Sequence, residues 1–227
     1  MHLNINNKKI KIVEDRWELI EKYVRNKTVL DVGCAELIAT TKNSTKKERW
    51  PFEKIKKIAK DIVGLDINKK QVEVLQKLGY NVVLGNAEKV NLQQTFDVIL
   101  AGELIEHLSN PGLFLENMKR HLNKEGVLII TTPNRFNSFE FFRTFIANKI
   151  PKYTKEIASH VFYFDINSLQ ALTERHNFQV IDYSYYWTFG RHYDSFRRRV
   201  ILKIIVKLRP QFVRGIIMVF KKGKYGL

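Results

Sequence analysis

The stretch TVLDVGCAEL, residues 28–37, decides the fold. An apolar run through Val29 and Leu30 meets a carboxylate at Asp31, and a lone glycine follows at Gly33. A buried parallel strand hands over to a ligand loop in this manner, because glycine lets the backbone come close to whatever is bound. The dinucleotide fingerprint G-x-G-x-x-G needs three glycines, and here Ala35 and Leu37 stand where more would be expected. The loop has one glycine with carboxylates on both sides, Asp31 and Glu36.

Working outward, strand-like apolar runs recur at 27–32, 61–65, 80–84, 96–101 and 127–131, with helical patterns at 69–78 and 111–122 between them. Such alternation is the signature of a parallel sheet covered on both faces. Beyond Thr132 come a Phe-rich segment, a helical stretch INSLQALTERH, a strand FQVIDYSYYW, a basic helix and a last strand RGIIMVF. The expectation is one α/β domain over 1–227: a Rossmann-like, doubly wound, mostly parallel seven-stranded sheet with helices on both faces and an antiparallel edge strand. No repeat and no Pro/Gly/Ser-rich linker divides the chain.

In an open α/β sheet, ligands bind beyond the carboxyl ends of the strands. Those ends carry Asp31, Gly33, Cys34 and Ala35 after the first strand and Asp66 after the second. Asn86, Ala87 and Glu88 follow the third, and Glu103, Glu106 and His107 the fourth. Such a rim disfavours a pyrophosphate and favours a ligand with ribose hydroxyls and positive charge. Taken alone, Asp31 or Asp66 reads equally as a helix cap or turn residue.

At this point VLDVGCAE, VGLDIN, GNAEKV, FDVILAGELIEHL, LNKEGVLIITTPN and the late HVFYF and SLQALTERHNFQV together resemble the successive motifs of class I S-adenosylmethionine-dependent methyltransferases. The likeness is closest to the branch containing ubiquinone-biosynthesis O-methyltransferases. It implies a transferase that binds S-adenosyl-L-methionine and releases S-adenosylhomocysteine. By that resemblance, residues 31–35 would receive the methionine part of the cofactor. Asp66 would hold the ribose hydroxyls with Ile67 against the adenine, Asn86, Ala87 and Glu88 would border the adenine, and Ala101, Gly102 and Glu103 would pass near the sulfonium. The chain departs from the family pattern at Ala35, where a second glycine is usual; alanine tolerates close approach if φ stays negative.

ELIEH places Glu103, Glu106 and His107 at i, i+3 and i+4, which share one face if the segment is helical. With the distant His160, this run resembles the metal site of small-RNA 2′-O-methyltransferases, so the four residues are candidate ligands for a divalent ion such as Mg²⁺. A bound divalent ion would lower the pKa of a substrate hydroxyl. Alternatively, His107 is a general base without metal, with Glu106 beside it, or the cluster is structural. The expected function is O-methylation of a small-molecule or a lipid- or sugar-linked hydroxyl. RNA 2′-O-methylation and a catalytically silent cofactor-binding protein are the alternatives.

The formal charge of +16 implies attraction to something anionic, or simply a solvated lysine-rich surface. The Phe-rich part of 133–165 lies where a substrate lid would be, and its phenylalanines equally suit ordinary core packing. The basic amphipathic helix expected at 191–210 suits a crossing over the sheet, a peripheral membrane contact or, less readily, RNA backbone. A single cysteine, Cys34, rules out an internal disulfide and fits a reducing compartment. With no apolar segment of signal-peptide or membrane-spanning length, a cytoplasmic protein is expected.

Overall fold

The computed structural model describes residues 11–35, 50–136, 159–187, 209 and 212–223. In chain order these form β1 (Ile12–Val13), α1 (Trp17–Val24), β2 (Thr28–Val32), α2 (Pro51–Lys56), β3 (Asp61–Asp66), α3 (Lys69–Lys77) and β4 (Val82–Leu84). Next come β5 (Phe96–Gly102), a short 3-10 turn (Ile105–His107), α4 (Pro111–His121), β6 (Leu122–Pro133), α5 (Ile166–Arg175), β7 (Phe178–Tyr186) and β8 (Gly215–Lys222).

The strands make one sheet in the order β1-β7-β8-β6-β5-β2-β3-β4. β2 runs parallel to both β3 and β5, with Val29 opposite Ile62 on one side and Val98 on the other. The chain winds outward through β3 and β4 in one direction and through β5 and β6 in the other, so the switch point falls between β2 and β5. Antiparallel pairing is confined to β8, which runs against β6 and β7. The seven expected strands are all present, and an eighth, β1, pairs in parallel with β7. Two residues carry no readable periodicity, which is why β1 escapes a sequence pattern.

Both faces are covered. Leu19, Ile20, Val24, Phe52, Ile55, Val72 and Leu75 of α1–α3 pack on one side, and Phe114, Leu115, Met118, Ile166 and Leu169 of α4 and α5 on the other. Burial on both faces explains the unbroken apolar character of the central strands. Helix starts are fixed locally. Asn68 accepts from Gln71 N–H at α3, and Asn110 accepts from Leu113 N–H at α4, where Pro111 fills the first turn. Asp165 and Ser168 form a reciprocal capping box at α5.

The Phe-rich stretch from 137 to 158 and nearly all of the basic helix expected at 191–210 lie outside the described residues. Among the described residues, no helix is long and apolar enough to cross a membrane.

Candidate active site

The carboxyl ends of β2, β3 and β5 converge as the sequence pattern requires. Gly33 takes a left-handed φ of 77° and donates to Leu65 O at 2.8 Å, so the chain leaves β2 through a turn that a side chain would strain. A Cβ at this position would also lie 3.1 Å from Leu104 Cδ1. Asp31 is buried and lines a cavity with Gly33, Cys34, Gly102, Thr131 and Arg16. Cys34 and Ala35 turn inward, and Trp50 Nε1–H donates to Cys34 O at 2.7 Å. Burial first, then the nearby Asp31 and Asp66 carboxylates, push the Cys34 thiol far up, so it remains protonated and unreactive.

Asp66 is held between two backbone donors. Its Oδ2 accepts from Ala35 N–H at 2.9 Å and its Oδ1 from Asn68 N–H at 2.8 Å. The contact with Ala35 ties the ends of β2 and β3 together, and each oxygen keeps a further lone pair. Beside it, Ile67 stands 69% exposed. Ala87 is buried, while Asn86 accepts from Glu88 N–H at 2.8 Å and Glu88 from Asn110 N–H at 2.8 Å. The third strand end therefore rests on the start of α4.

At β5, Ala101 is buried and Gly102 opens onto the cavity. The shared helical face read from ELIEH is not what forms. Glu103 has φ 51°, and its N–H is still bonded to the sheet, to Thr131 O at 2.9 Å, so no helix can begin there. Only Ile105–His107 turn, as a 3-10 segment pinned by the burial of Ile105 and Leu108. Glu103 is consequently separated from the other candidate ligands. Its Oε1 accepts from Arg16 at 2.9 Å, from Thr131 Oγ1 at 3.0 Å and from Tyr186 Oη. Arg16 precedes α1 and so lies away from every strand end in the sequence, while Thr131 and Tyr186 are uncharged residues at the ends of β6 and β7, beyond the four strand ends that carry the acids.

The remaining three candidates do come together. Ligand atoms of Glu106, His107 and His160 all lie within 4.8 Å of one another. Glu106 is buried; its Oε2 accepts from Thr132 Oγ1 at 2.9 Å, while its Oε1 has no hydrogen-bond partner. Burial, then the Glu103 charge, push its carboxyl up to about 7. His107 Nδ1 lies 2.8 Å from Ser159 O, a contact it can make only as donor, which leaves Nε2 with a lone pair 4.0 Å from Glu106 Oε1. The His107 and His160 rings meet edge to face with centroids 4.6 Å apart. Glu106 O accepts from Val161 N–H at 2.8 Å and from Phe162 N–H at 3.2 Å, so the segment carrying His160 is strapped to the 3-10 turn.

Sheet order, a single-glycine loop after β2 and an acid after β3 define the fold as that of the Rossmann-like S-adenosylmethionine-dependent methyltransferases. The chain belongs to the methyltransferase domain family, whose model matches residues 9–183. With the class goes its cofactor, S-adenosylmethionine. A ubiquinone biosynthesis O-methyltransferase of Pelagibacter ubique is 26% identical over 121 residues, 51% of this chain and 45% of that protein, so the chain spans about half the length of that relative. A SAM-dependent methyltransferase from Archaeoglobus fulgidus superposes with a TM-score of 0.60 at 18% identity, covering 91% of each chain. Magnesium protoporphyrin IX methyltransferase from Synechocystis, solved with bound S-adenosylhomocysteine, gives 0.58 at 10% identity and covers 91% of this chain and 79% of its own.

Proposed function

We propose that the protein methylates a hydroxyl oxygen of a small-molecule acceptor, in the cytoplasm. The observation that carries this reading is the unpartnered, buried Glu106 Oε1 facing His107 Nε2 and His160, a short way along the chain from the cavity wall at Gly102. Buried polar atoms are almost always paired, and one left open beside two imidazoles is a binding or proton-transfer group.

The rim fits the cofactor's donor and acceptor pattern. Asp66 has lone pairs left for ribose hydroxyls, and exposed Ile67 offers an apolar face to a base. Among the described residues Arg16 is the one cation lining the cavity, and it suits the carboxylate of the amino-acid end, with Asp31 facing the ammonium. When bound, S-adenosylmethionine supplies an electrophilic methyl group. His107, held through Nδ1 by Ser159 O, presents Nε2 to take the acceptor's proton, and Glu106 stabilises the imidazolium that results. The same three donors fit a divalent cation, which when bound would polarise the acceptor hydroxyl.

Oxygen as the acceptor atom is supported by the similarity to O-methyltransferases over part of the chain. Phe136, Val161 and Tyr163, all about half exposed, flank the strap that carries His160 and favour an apolar small molecule over a polyanion. The unpaired, buried Cys34 supports a reducing compartment. We propose one catalytic domain, in which the segment near 133–165 serves the acceptor and the basic stretch 191–210 contacts an anionic membrane surface. The test is incubation with methyl-labelled S-adenosylmethionine and a fractionated cell extract, with and without a chelator. Label in an organic-extractable small molecule as an alkali-stable ether supports the reading; label in RNA, or none in any fraction, overturns it. Loss of transfer on chelation, restored by Mg²⁺, supports the cation, and unchanged transfer removes it.

A further inference from the structure

Tyr186 ends β7, two strands beyond β6 and outside the cavity wall, yet its hydroxyl reaches the Glu103 carboxylate. The side chain is buried, and Arg16 lies over its ring, 5.6 Å from the centroid. The ring also occupies the place of a missing side chain. A Cβ at Gly215 would fall 2.2 Å from Tyr186 Cζ and 2.5 Å from its Oη, although Gly215 has no left-handed backbone to explain its identity. One phenol thus meets three neighbours: Gly215 of β8, Arg16 and Glu103.

From this arrangement we infer that Tyr186 is a positioning residue for the cofactor site, with Gly215 as the gap that admits it. The hydroxyl fixes Glu103 Oε1, and Glu103 in turn holds the two side chains that face the cavity, Arg16 at 2.9 Å and Thr131 at 3.0 Å. Without it, Glu103 Oε1 would keep its two donors, Arg16 and Thr131, which also bond each other at 3.1 Å, but the carboxylate would lose the contact that ties it to β7 and sets the angle at which it meets the guanidinium. Arg has long, rotamer-rich reach, so its direction is set by its partner rather than by its own stem. Burial and the adjoining Glu103 charge push the Tyr186 phenol well up, so it stays a donor across the working pH range. The inference rests on Arg16 receiving the amino-acid end of the cofactor, and it adds that β7 and β8, at the antiparallel end of the sheet, set that affinity.

The test compares two ligands on three proteins by calorimetry. S-adenosylhomocysteine carries the amino-acid end; 5′-methylthioadenosine has the same nucleoside and thioether without it. Tyr186→Phe removes the hydroxyl and keeps the ring, and Gly215→Ala keeps every polar group and displaces the ring; either variant with a cooperative melt is sufficient. The expected result is about a tenfold weakening for S-adenosylhomocysteine, in line with loss of a hydrogen bond to a charged group, and an unchanged affinity for 5′-methylthioadenosine. Equal weakening of both ligands makes Tyr186 a general packing residue and overturns the inference, as does unaltered affinity for both. If the wild-type protein binds neither ligand, the cofactor reading itself fails and takes the inference with it, an outcome distinct from the other two.

Discussion

At the amino ends of β2, β5 and β6, the Asp97 carboxylate accepts from Thr28 N–H at 3.0 Å, from Thr28 Oγ1 at 2.8 Å and from Asn123 at 2.7 Å. At the carboxyl ends of the same strands, Glu106 is deeper, bonded through one oxygen only, and flanked by a second carboxylate. The two acids respond in opposite senses: Asp97 is held below its ordinary value, chiefly by the Thr28 N–H, and Glu106 is pushed up, chiefly by burial. One end of the sheet closes its hydrogen bonds and ties strands together. The other leaves an acceptor open at Glu106 Oε1. A buried acceptor left open beside two imidazoles is a physical mark of a site, since buried polar groups are as a rule paired.

The sharpest way to break this contrast is at Glu106. Glu106→Gln keeps the shape and the bond from Thr132 while removing the charge. Methyl transfer should fall by about 10²–10⁴-fold, the range for losing a positioned acid–base group. The melting temperature should not fall, because the substitution removes a buried charge with an unbonded oxygen. A variant of normal activity, or one that unfolds, would make Glu106 a structural acid like Asp97. Next in size is Gly33→Ala. The left-handed φ and the 3.1 Å approach to Leu104 should strain the loop by about 1–3 kcal/mol, read as loss of S-adenosylhomocysteine affinity in a titration. Unaltered affinity would show that the loop's path is not needed for binding.

How much of this contrast could be read from the residues alone follows from the range of the forces involved. The strands were legible because burial on both faces leaves continuous apolar runs, as in Val29-Leu30 and Ile99-Leu100. The acids at strand ends were legible because topology sends every parallel strand to the same rim. The geometry of residues 103–107 was not, since whether Glu-x-x-Glu-His shares a face depends on Glu103 N–H staying bonded to Thr131, a contact 28 residues away. His160 joins the trio through backbone bonds from Val161 and Phe162 to Glu106 O, which no local pattern announces. Arg16 and Tyr186 lie 87 and 83 residues from Glu103, and only the folded sheet makes them neighbours.

At the amino end, Asp97→Asn should act on stability alone. Losing the charge on this acceptor should cost about 1 kcal/mol, a fall in melting temperature of about 2–4 °C for a chain of this size, with transfer per folded molecule unchanged. A large loss of activity without loss of stability would mean that the closed end also serves the chemistry.

The smallest expected effect separates the two ends by acid. Asp97 titrates in the folded protein below its ordinary value of 3.8, so as pH falls the unfolded chain takes up the proton first. The stabilisation it contributes is complete above that ordinary value and is lost as pH drops through the lower, folded one. Wild-type protein should therefore lose more of its urea midpoint between pH 6 and pH 3 than Asp97→Asn does. Other paired carboxylates, such as Glu116 beside Lys119 and His176, add an acid sensitivity common to both proteins, so the difference between the two falls isolates Asp97. Equal falls would mean that the Thr28 and Asn123 bonds survive protonation, and the amino end would then owe its closure to geometry rather than to charge.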